Sequence, residues 1–464
     1  YEVPEQKGWN SYVMYDENTQ FNLSSNPKTL LMYLPGYANT HESVYEHVAY
    51  NEITEQRLIE MPVTFEFGNK IFVSITEAAI RDYAGMYLMK EENKLIGKLS
   101  PHLGQEKVKV EVETFPHNTP WRVISIADRI GALLETNILT SLNEPCKLED
   151  TSWIKPCRTT FTWWNGNVVP DSTFSPGNNF DTNKYYIDFA SAHGIGYVIL
   201  DEGWSVNLKA DLMQVIPEID LKGLVEYGKS KNVDIILWAG YWAFHRDMEK
   251  VVKHYAEMGV KGFKVDFMDR DDQQMVNFLY EAARICAKYK MMVDFHGVFK
   301  PTGLNRTYPN VINYEGVNGL EQLKWSPESY DMVTYDVTIP FIRMIAGPMD
   351  YTQGAMRNAA RGSYRPINSE PMSQGTRCRQ LATYVIFESP FNMLCDNPSN
   401  YMREEECTEF IASVPTVWDQ TVSLDGKVSE YVAIARRNGA DWYIGALTNW
   451  DSRELELDLS FLGE

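Results

Sequence analysis

The chain has 464 residues, which is too long for one ordinary domain and predicts two or three domains. Its formal net charge of −20 argues against nucleic acid and against an anionic membrane surface as partners, because binding to either needs a basic protein surface. A neutral ligand is expected instead, and the 12 Trp and 27 Tyr residues fit a sugar.

Cysteine usage gives little sign of metal or redox chemistry. The six cysteines include no C-x-x-C pair, so zinc binding and thioredoxin-like chemistry are not expected. Cys146 and Cys157 flank a loop, and the two could form a disulfide in an oxidising compartment. No apolar run reaches the length of a membrane span, and the chain starts at Tyr1 without a signal-like segment, so we expect a processed or trimmed chain with no membrane insertion.

Residues 1–135 have the pattern of an all-β domain. Short alternating runs, such as residues 63–67 and 71–76, are separated by turn residues, and residues 108–114 alternate cleanly. We expect an N-terminal β-sandwich that lacks its first strands, followed by a linker over residues 136–157. Glu77 ends one of the predicted strands, where a carboxylate is ordinarily just solvated.

From residue 158 onwards, short apolar strands alternate with amphipathic helices, which is typical of βαβ units. Eight candidate strands in this region predict a central (β/α)8 TIM barrel over residues 158–412 rather than an open sheet. Residues 413–464 return to a β pattern and predict a C-terminal all-β domain, also incomplete. The barrel strands are predicted at residues 159–163, 197–200, 234–238, 262–266, 292–296, 311–314, 341–345 and 383–387, and the clearest helices at 221–231, 248–258 and 273–288.

The fourth predicted barrel strand carries charge on a face that should be buried. Lys264, Asp266 and Met268 share this face, because side chains alternate across a strand. In a closed barrel the face points inward, and Asp266 stands at the carboxyl end of its strand, where barrel enzymes keep their chemistry. Lys264 is the expected partner of the Asp266 carboxylate. The alternative is a structural ion pair at a strand end.

Polar and aromatic residues also follow most of the other predicted strands. Each of them alone is equally typical of a helix cap or a surface charge. Together, carboxylates, indoles and amides on one rim indicate a sugar site with two carboxyl groups for acid–base or nucleophilic chemistry. No G-x-S-x-G motif and no Gly-rich phosphate loop is present. The set includes Trp164, Asn165, Asp201, Glu202, Trp204, residues 238–242, Asp266, Asp269, His296, Gly297, Glu315, Glu321, Asp350, Glu388 and Asp396.

These residues lie within motifs that resemble glycoside hydrolase family 97, and the resemblance covers nearly the whole chain. L-D-E-G-W at 200–204 and K-V-D at 264–266 also resemble, more distantly, the second and fourth strands of clan D α-galactosidases. The family motifs are I-T-E-A at 75–78, T-P-W-R-V-I at 119–124, T-F-T-W-W-N at 160–165, F-K-V-D-F-M-D at 263–269, V-D-F-H-G-V-F-K-P-T-G-L-N-R-T-Y-P-N at 293–310, Y-E-G at 314–316, G-P-M-D-Y-T at 347–352, and F-E-S-P with D-N-P at 387–398.

The resemblance implies a mechanism. Inverting members of the family carry a glutamate base directly after the histidine of the fifth strand, whereas this chain has Gly297 after His296. Retaining members carry an aspartate nucleophile on the fourth strand, which matches Asp266, and the acid/base of the family matches Glu321. The resemblance therefore implies a retaining, exo-acting α-galactosidase that uses Asp266 and Glu321 in a double displacement.

The resemblance also implies a bound Ca²⁺ and a location in the periplasm or outside the cell. The matching calcium ligands are Glu77, Glu315 and Glu321, with water in the place of the missing carboxylate at Gly297. The expected substrate is an oligosaccharide or glycoside with a terminal α-galactose. The expected sugar contacts are Trp163, Trp164, Asn165, Asp201, Trp204, Lys264 and His296.

Two kinds of alternative stay open. A retaining α-glucosidase or β-L-arabinopyranosidase would differ only in the C4 configuration or the C6 substituent of its sugar, which sequence motifs do not report. A non-catalytic carbohydrate-binding protein on the same fold is the other alternative, and the presence of both Asp266 and Glu321 argues against it.

Overall fold

The N-terminal part of the computed structural model is all-β, as predicted, and the structure describes residues 1–68 and 70–463. Eight strands form one antiparallel sheet in the order β12-β7-β6-β8-β9-β3, with β4 paired to β5 and β6, and β1–β11 and β2–β10 form separate pairs. The strands are β1 (Glu2–Val3), β2 (Tyr12–Met14), β3 (Gln20–Asn22), β4 (Lys28–Leu34), β5 (Glu46–Ala49), β6 (Leu58–Phe67), β7 (Ile71–Ala78), β8 (Met86–Glu91), β9 (Lys94–Leu99), β10 (Val110–Val112), β11 (His117–Asn118) and β12 (Trp121–Ala127).

This sheet packs directly against the central region. Strands β4, β6 and β7 are buried over most of their length, and the polar residues of the alternating β6 and β7 sequences, such as Thr64 and Glu77, are buried as well. Leu30 and Phe72 belong to the same apolar core as Phe341 of the central region. The Thr64 hydroxyl donates a hydrogen bond of 2.8 Å to the Phe341 carbonyl. The sheet therefore covers the barrel and can contribute side chains to it.

The central region is a parallel barrel with seven strands in the described residues. Their order around the sheet is β20-β19-β18-β17-β14-β13-β23, so β20 and β23 form its two edges. The barrel strands are β13 (Cys157–Phe161), β14 (Tyr197–Leu200), β17 (Asp234–Gly240), β18 (Gly262–Asp266), β19 (Met292–Phe295), β20 (Val311–Tyr314) and β23 (Phe391–Leu394), with short pairs β15 (Ser205–Val206) and β16 (Asp211–Val215), and β21 (Asn358–Ala359) and β22 (Ser373–Gln374).

Helices alternate with the barrel strands and bury one face against them. Helix α5 begins after Asp272, whose carboxylate accepts hydrogen bonds from the Gln274 and Met275 amides, and its buried face includes Leu279. The helices are α1 (Ile138–Ser141), α2 (Phe180–Ala192), α3 (Leu221–Ser230), α4 (Tyr241–Met258), α5 (Gln273–Lys288), α6 (Leu304–Thr307), α7 (Met332–Asp336), α8 (Arg377–Ile386), α9 (Pro398–Arg403) and α10 (Glu405–Ser413), and 3₁₀ turns lie at Tyr50–Glu52, Ile130–Leu134, Asn207–Lys209, Leu320–Lys324, Ile339–Phe341, Arg343–Ala346 and Ser460–Leu462.

The predictions of the first six barrel strands agree with the structure, but those of the last two are wrong. The predicted seventh strand at 341–345 falls on 3₁₀ turns, which Arg343 stabilises by donating to the carbonyls of Gly316 and Glu315 at 2.8 Å each. The predicted eighth strand at 383–387 falls mostly on helix α8, which Thr376 caps, and the real strand β23 follows it. A short apolar run does not distinguish a strand from a buried helical turn, which is why both predictions failed.

The C-terminal part is a three-stranded antiparallel sheet, as predicted. It consists of β24 (Gln420–Lys427), β25 (Tyr431–Asn438) and β26 (Asp441–Thr448). Arg436 donates to the Ile386 carbonyl of α8 at 2.9 Å, and Gly445 brings the backbone of β26 close to the same helix. A barrel between two β regions is therefore confirmed. Cys146 and Cys157 are free rather than bridged, and the helices in the described residues are all too short or too polar to cross a membrane.

Candidate active site

Asp266 is the last residue of β18, at the carboxyl end of the barrel. Its two oxygens accept hydrogen bonds from the Trp238 indole at 3.1 Å and from the Phe267 amide at 2.8 Å. Burial raises the pKa of Asp266, and the positive charges of Lys264 and His296 offset part of that rise. The sequence prediction of an inward carboxylate on this strand is therefore supported by its position and environment.

Lys264 lies on the same strand but is bonded to a different carboxylate from the one predicted. Its ammonium donates to Asp201 at 2.9 Å, and Asp201 also accepts from the Glu202 amide at 2.8 Å. Both Lys264 and Asp201 are buried. Lys264 therefore fixes Asp201 and acts on Asp266 only through its charge.

His296 stands at the centre of a buried network of carboxylates. One ring nitrogen lies 2.8 Å from Asp350 and the other lies 3.1 Å from Glu315. Burial by itself lowers the pKa of His296, but the negative charges of Glu315 and Asp294 outweigh it and raise the pKa well above its usual value. Carboxylates therefore lie at both ring nitrogens of His296, an arrangement that favours its protonated form.

Three glutamates converge beside this network, and sequence reasoning missed one of them. Oxygens of Glu42, Glu315 and Glu321 all lie within 4.8 Å of one another. Glu315 and Glu321 come from the barrel, whereas Glu42 comes from the loop between β4 and β5 of the N-terminal sheet. Glu42 follows no predicted strand and matches no quoted motif, so the sequence carried no usable signal for it.

The close approach of these carboxylates changes their protonation. Burial raises the pKa of Glu42, and the negative charges of Glu315, Glu321 and Asp266 raise it further. Burial also raises the pKa of Glu321, with Glu315 and Asp266 adding to the shift. Glu315 keeps a lowered pKa in spite of burial because His296 and the Gly297 amide stabilise its charge. Glu321 is therefore suited to hold a proton near neutral pH, as a general acid must.

Glu77, the third predicted calcium ligand, does not join this cluster. Its carboxylate is fully buried in β7 and lies 2.6 Å from the Arg122 guanidinium and 2.6 Å from the Lys300 ammonium. It also accepts a hydrogen bond of 3.1 Å from the Met86 amide. Two cations lie against its carboxylate, and Glu42 rather than Glu77 is the N-terminal glutamate that meets Glu315 and Glu321.

The predicted aromatic contacts divide into buried and accessible ones. Trp164 and Trp204 have 0% exposure, and the Trp204 indole donates to the Trp238 carbonyl at 2.8 Å, so both support the site from behind. Trp163 is partly exposed and meets the exposed Trp325 edge-to-face, with ring centroids 6.0 Å apart. Asn165 accepts from the Asn397 amide at 3.2 Å. The Trp163–Trp325 pair is therefore an aromatic surface open to a ligand.

Two carboxyl groups, one suited to attack and one suited to donate a proton, lie among buried charges at the rim of the barrel. Comparison with known proteins agrees with this chemistry. Family models described as Glycosyl-hydrolase 97 N-terminal, Glycoside hydrolase 97, and Glycosyl-hydrolase 97 C-terminal, oligomerisation, match residues 1–145, 163–317 and 417–464. The fold and the site define a glycoside hydrolase. The chain belongs to glycoside hydrolase family 97.

Individual relatives are similar over most of the chain. A protein of Bacteroides thetaiotaomicron named retaining alpha-galactosidase is 55% identical over 445 residues, covering 92% of this chain and 67% of the relative. A probable retaining alpha-galactosidase of Streptomyces bingchenggensis is 30% identical, covering 71% of this chain and 49% of the relative. The solved structure of a family 97 enzyme from Pseudoalteromonas sp. strain K8 with acarbose has a TM-score of 0.88 at 30% identity, covering 100% of this chain and 75% of that one.

Proposed function

We propose that this chain is a retaining, exo-acting α-galactosidase that works by double displacement. The observation that carries the proposal is the environment of two carboxyl groups, Asp266 and Glu321. Asp266 has both oxygens held by donors, whereas burial and neighbouring negative charge raise the pKa of Glu321. The 55% identity to a protein named retaining alpha-galactosidase supports the choice of sugar.

In the first step a carboxylate oxygen of Asp266 attacks the anomeric carbon of the terminal sugar. A bond forms between that oxygen and the carbon while the glycosidic carbon–oxygen bond breaks. Glu321 gives its proton to the leaving oxygen, so the departing group leaves as an alcohol.

In the second step water attacks the same carbon from the side the leaving group vacated. Glu321, now ionised, takes a proton from that water, and the bond to Asp266 breaks to restore its carboxylate. Two inversions give net retention of the α configuration, and both catalytic groups return to their starting protonation.

Gly297 argues against the inverting alternative. A Cβ at this position would lie 2.9 Å from the Phe267 amide nitrogen and 3.0 Å from an Asp269 oxygen, closer than side chains tolerate. Gly297 also has a φ of +53°, a backbone conformation that disfavours other residues. A glutamate base at this position would therefore need the turn after β18 to move.

We also propose that Glu42, Glu315 and Glu321 hold a calcium ion, with Glu321 bound through one oxygen so that its other oxygen can carry the transferable proton. The three form a hard oxygen donor set, and burial together with the negative charges of Glu315 and Glu321 raises the pKa of Glu42 far above that of an ordinary carboxyl, a cost that a bound cation would relieve. The ion would supply positive charge next to the reacting sugar. The lysine-held carboxylate of Asp201 is positioned to accept hydrogen bonds from sugar hydroxyls, and the Trp163–Trp325 surface to stack on the sugar.

A panel of aryl glycosides tests the proposed function. The α-galactoside should be hydrolysed faster than the α-glucoside and the β-L-arabinopyranoside, and NMR should show α-galactose as the first product. Preference for another glycoside would assign the alternative sugar, and β-galactose as the first product would contradict retention. Binding of sugars without hydrolysis of any α-glycoside would favour the non-catalytic alternative.

A further inference from the structure

Asp266 is held by two hydrogen-bond donors whose placement depends on residues outside the reacting pair. We propose that Trp238 and Gly297 are positioning residues that orient the Asp266 carboxylate for attack and for its later departure. This inference rests on the proposed nucleophilic role of Asp266. Trp238 acts through its indole N–H, and Gly297 acts by leaving room for the backbone that supplies the second donor.

Contacts other than the one with Asp266 fix the position of Trp238. It lies on β17, and its carbonyl accepts a hydrogen bond of 2.8 Å from the buried Trp204 indole. Its ring packs edge-to-face against Phe267, with centroids 5.7 Å apart, and is only 7% exposed. The indole N–H then donates to Asp266 at 3.1 Å. The direction of this donor is therefore set by packing on both sides.

The second donor belongs to a sharp turn that directly follows β18. Phe267 has a φ of +66° and Asp269 a φ of +54°, both in the left-handed region. The Asp269 amide donates to the Gly297 carbonyl at 2.7 Å, which ties the turn to the neighbouring strand. A Cβ on Gly297 would stand 2.9 Å from the Phe267 amide nitrogen and 3.1 Å from its Cα. The turn can present the Phe267 N–H to Asp266 only because residue 297 has no side chain.

Hydrogen bonds to a carboxylate stabilise its charged form more than its ester. Asp266 is an ester in the glycosyl-enzyme and becomes a carboxylate again when that bond breaks. The two donors should therefore assist the second step, in which Asp266 departs, more than the first. Loss of one donor should make the covalent intermediate accumulate, which a loss of general stability would not do.

The Trp238→Phe variant tests the indole donor, because phenylalanine keeps an aromatic ring but has no N–H. It is compared with Trp153→Phe, which removes an indole hydrogen bond to the Asp150 carbonyl outside the site. Kinetics are measured on the aryl α-glycoside that the wild-type protein hydrolyses fastest. We expect kcat to fall about tenfold to a hundredfold, as expected for one lost hydrogen bond to a charged group, with KM falling as well. Mass spectrometry should show a larger fraction of glycosylated protein than in the wild type. Trp153→Phe should change neither the kinetic constants nor this fraction.

The Gly297→Ala variant tests the backbone donor. Its control is Gly439→Ala, where φ is +60° and a Cβ would meet nothing within 4 Å, so it imposes similar backbone strain in open space. Gly297→Ala should lower kcat and KM together and accumulate the glycosyl-enzyme, whereas Gly439→Ala should not. Thermal unfolding of all four variants separates a folding defect from a kinetic one.

The results separate this inference from the proposed function. Variants at 238 and 297 with wild-type kcat and no accumulated intermediate would overturn the positioning role while leaving the activity intact. Equal loss of kcat and kcat/KM without accumulation would overturn the selective effect on the second step. Faster hydrolysis of another glycoside than of the α-galactoside would overturn only the proposed sugar. A wild-type protein without activity on any glycoside of the panel would overturn both.

Discussion

Two groups of buried or partly buried carboxylates connect the N-terminal sheet to the barrel, and they differ in how their charge is balanced. Glu77 lies within 2.6 Å of both Arg122 and Lys300. Among the described residues, Glu42 accepts a side-chain hydrogen bond from the neutral Gln322 amide alone, at 3.0 Å, and it faces Glu315 and Glu321. Burying a charge is costly unless something pairs with it. A balanced group is explained by the fold itself, whereas an excess of negative charge indicates a ligand or a reaction that uses it.

The comparison predicts that substitutions in the unbalanced region cost activity and those in the balanced region cost stability. Asp266→Gly should give the largest effect. Hydrolysis should fall by several orders of magnitude because the nucleophile is gone, while the unfolding temperature should not fall, since a partly buried carboxylate with a raised pKa has been removed. Azide or formate should enter the gap and restore some turnover, with a product of inverted configuration because only one displacement occurs. Near-normal activity of this variant would contradict the prediction that substitutions in the unbalanced region cost activity.

Glu77→Gln should give the largest loss of stability. The amide deprives the buried Lys300 of its partner at 2.6 Å and leaves Glu60 at 3.9 Å, whereas Arg122 keeps Glu17, so the loss should approach the roughly 3–5 kcal/mol of a broken buried ion pair. Denaturant unfolding measures the loss, and kcat and calcium affinity should stay close to those of the wild type. Weaker calcium binding by Glu77→Gln at unchanged stability would return Glu77 to the ligand set.

Glu42→Gln is the matched substitution in the unbalanced cluster. It removes one hard ligand, so calcium affinity should fall by at least about tenfold to a hundredfold. The unfolding temperature of the metal-free protein should be kept, because the raised pKa of Glu42 leaves it protonated there and the amide is a neutral group of the same shape. Titration calorimetry with calcium measures the affinity, and chelation of the wild type should abolish or strongly reduce its activity. Full activity of extensively dialysed, metal-free protein would contradict the proposed ion.

The smallest effect concerns pH. Burial raises the pKa of Asp266, and the Lys264 charge opposes that rise; the same charge opposes the rise at Glu321. Asp266 must be ionised to attack, so activity falls as pH drops through its pKa, and Glu321 must be protonated, so activity falls as pH rises through its own. Lys264→Met should raise both pKa values and move both limbs of the kcat/KM profile to higher pH. If both limbs of the kcat/KM profile stay at the wild-type pH, the Lys264 charge does not affect the pKa of either catalytic group.

Much of this architecture could be predicted from the sequence. The strands of residues 197–200, 262–266 and 311–314 have the predicted bounds, because apolar runs flanked by helices and turns specify buried parallel strands. Asp266 could be placed because strand alternation fixes which face a residue occupies. The 3₁₀ turns at Ile339–Phe341 and Arg343–Ala346 could not, since the Arg343 contacts that hold them come from distant backbone.

The composition of the charge clusters was harder to predict, because it depends on contacts between separate domains. Glu42 and Glu77 are both carboxylates of the N-terminal region, and local sequence does not reveal which of them meets Lys300 and which meets Glu315. Trp204 likewise follows a barrel strand as a sugar-binding residue would, yet its indole turns into the core to bond the Trp238 carbonyl. Side-chain direction after a strand is set by tertiary packing, not by position along the chain.

The identity of the nucleophile is the central claim, and trapping the glycosyl-enzyme tests it most directly. In Glu321→Gln, an aryl α-galactoside with an activated leaving group needs little acid assistance to form the intermediate, whereas its hydrolysis lacks a base. Proteolysis and mass spectrometry should then locate a galactosyl adduct on Asp266. An adduct on Asp269 or Asp201, or rapid turnover to β-galactose with no adduct at all, would contradict the account.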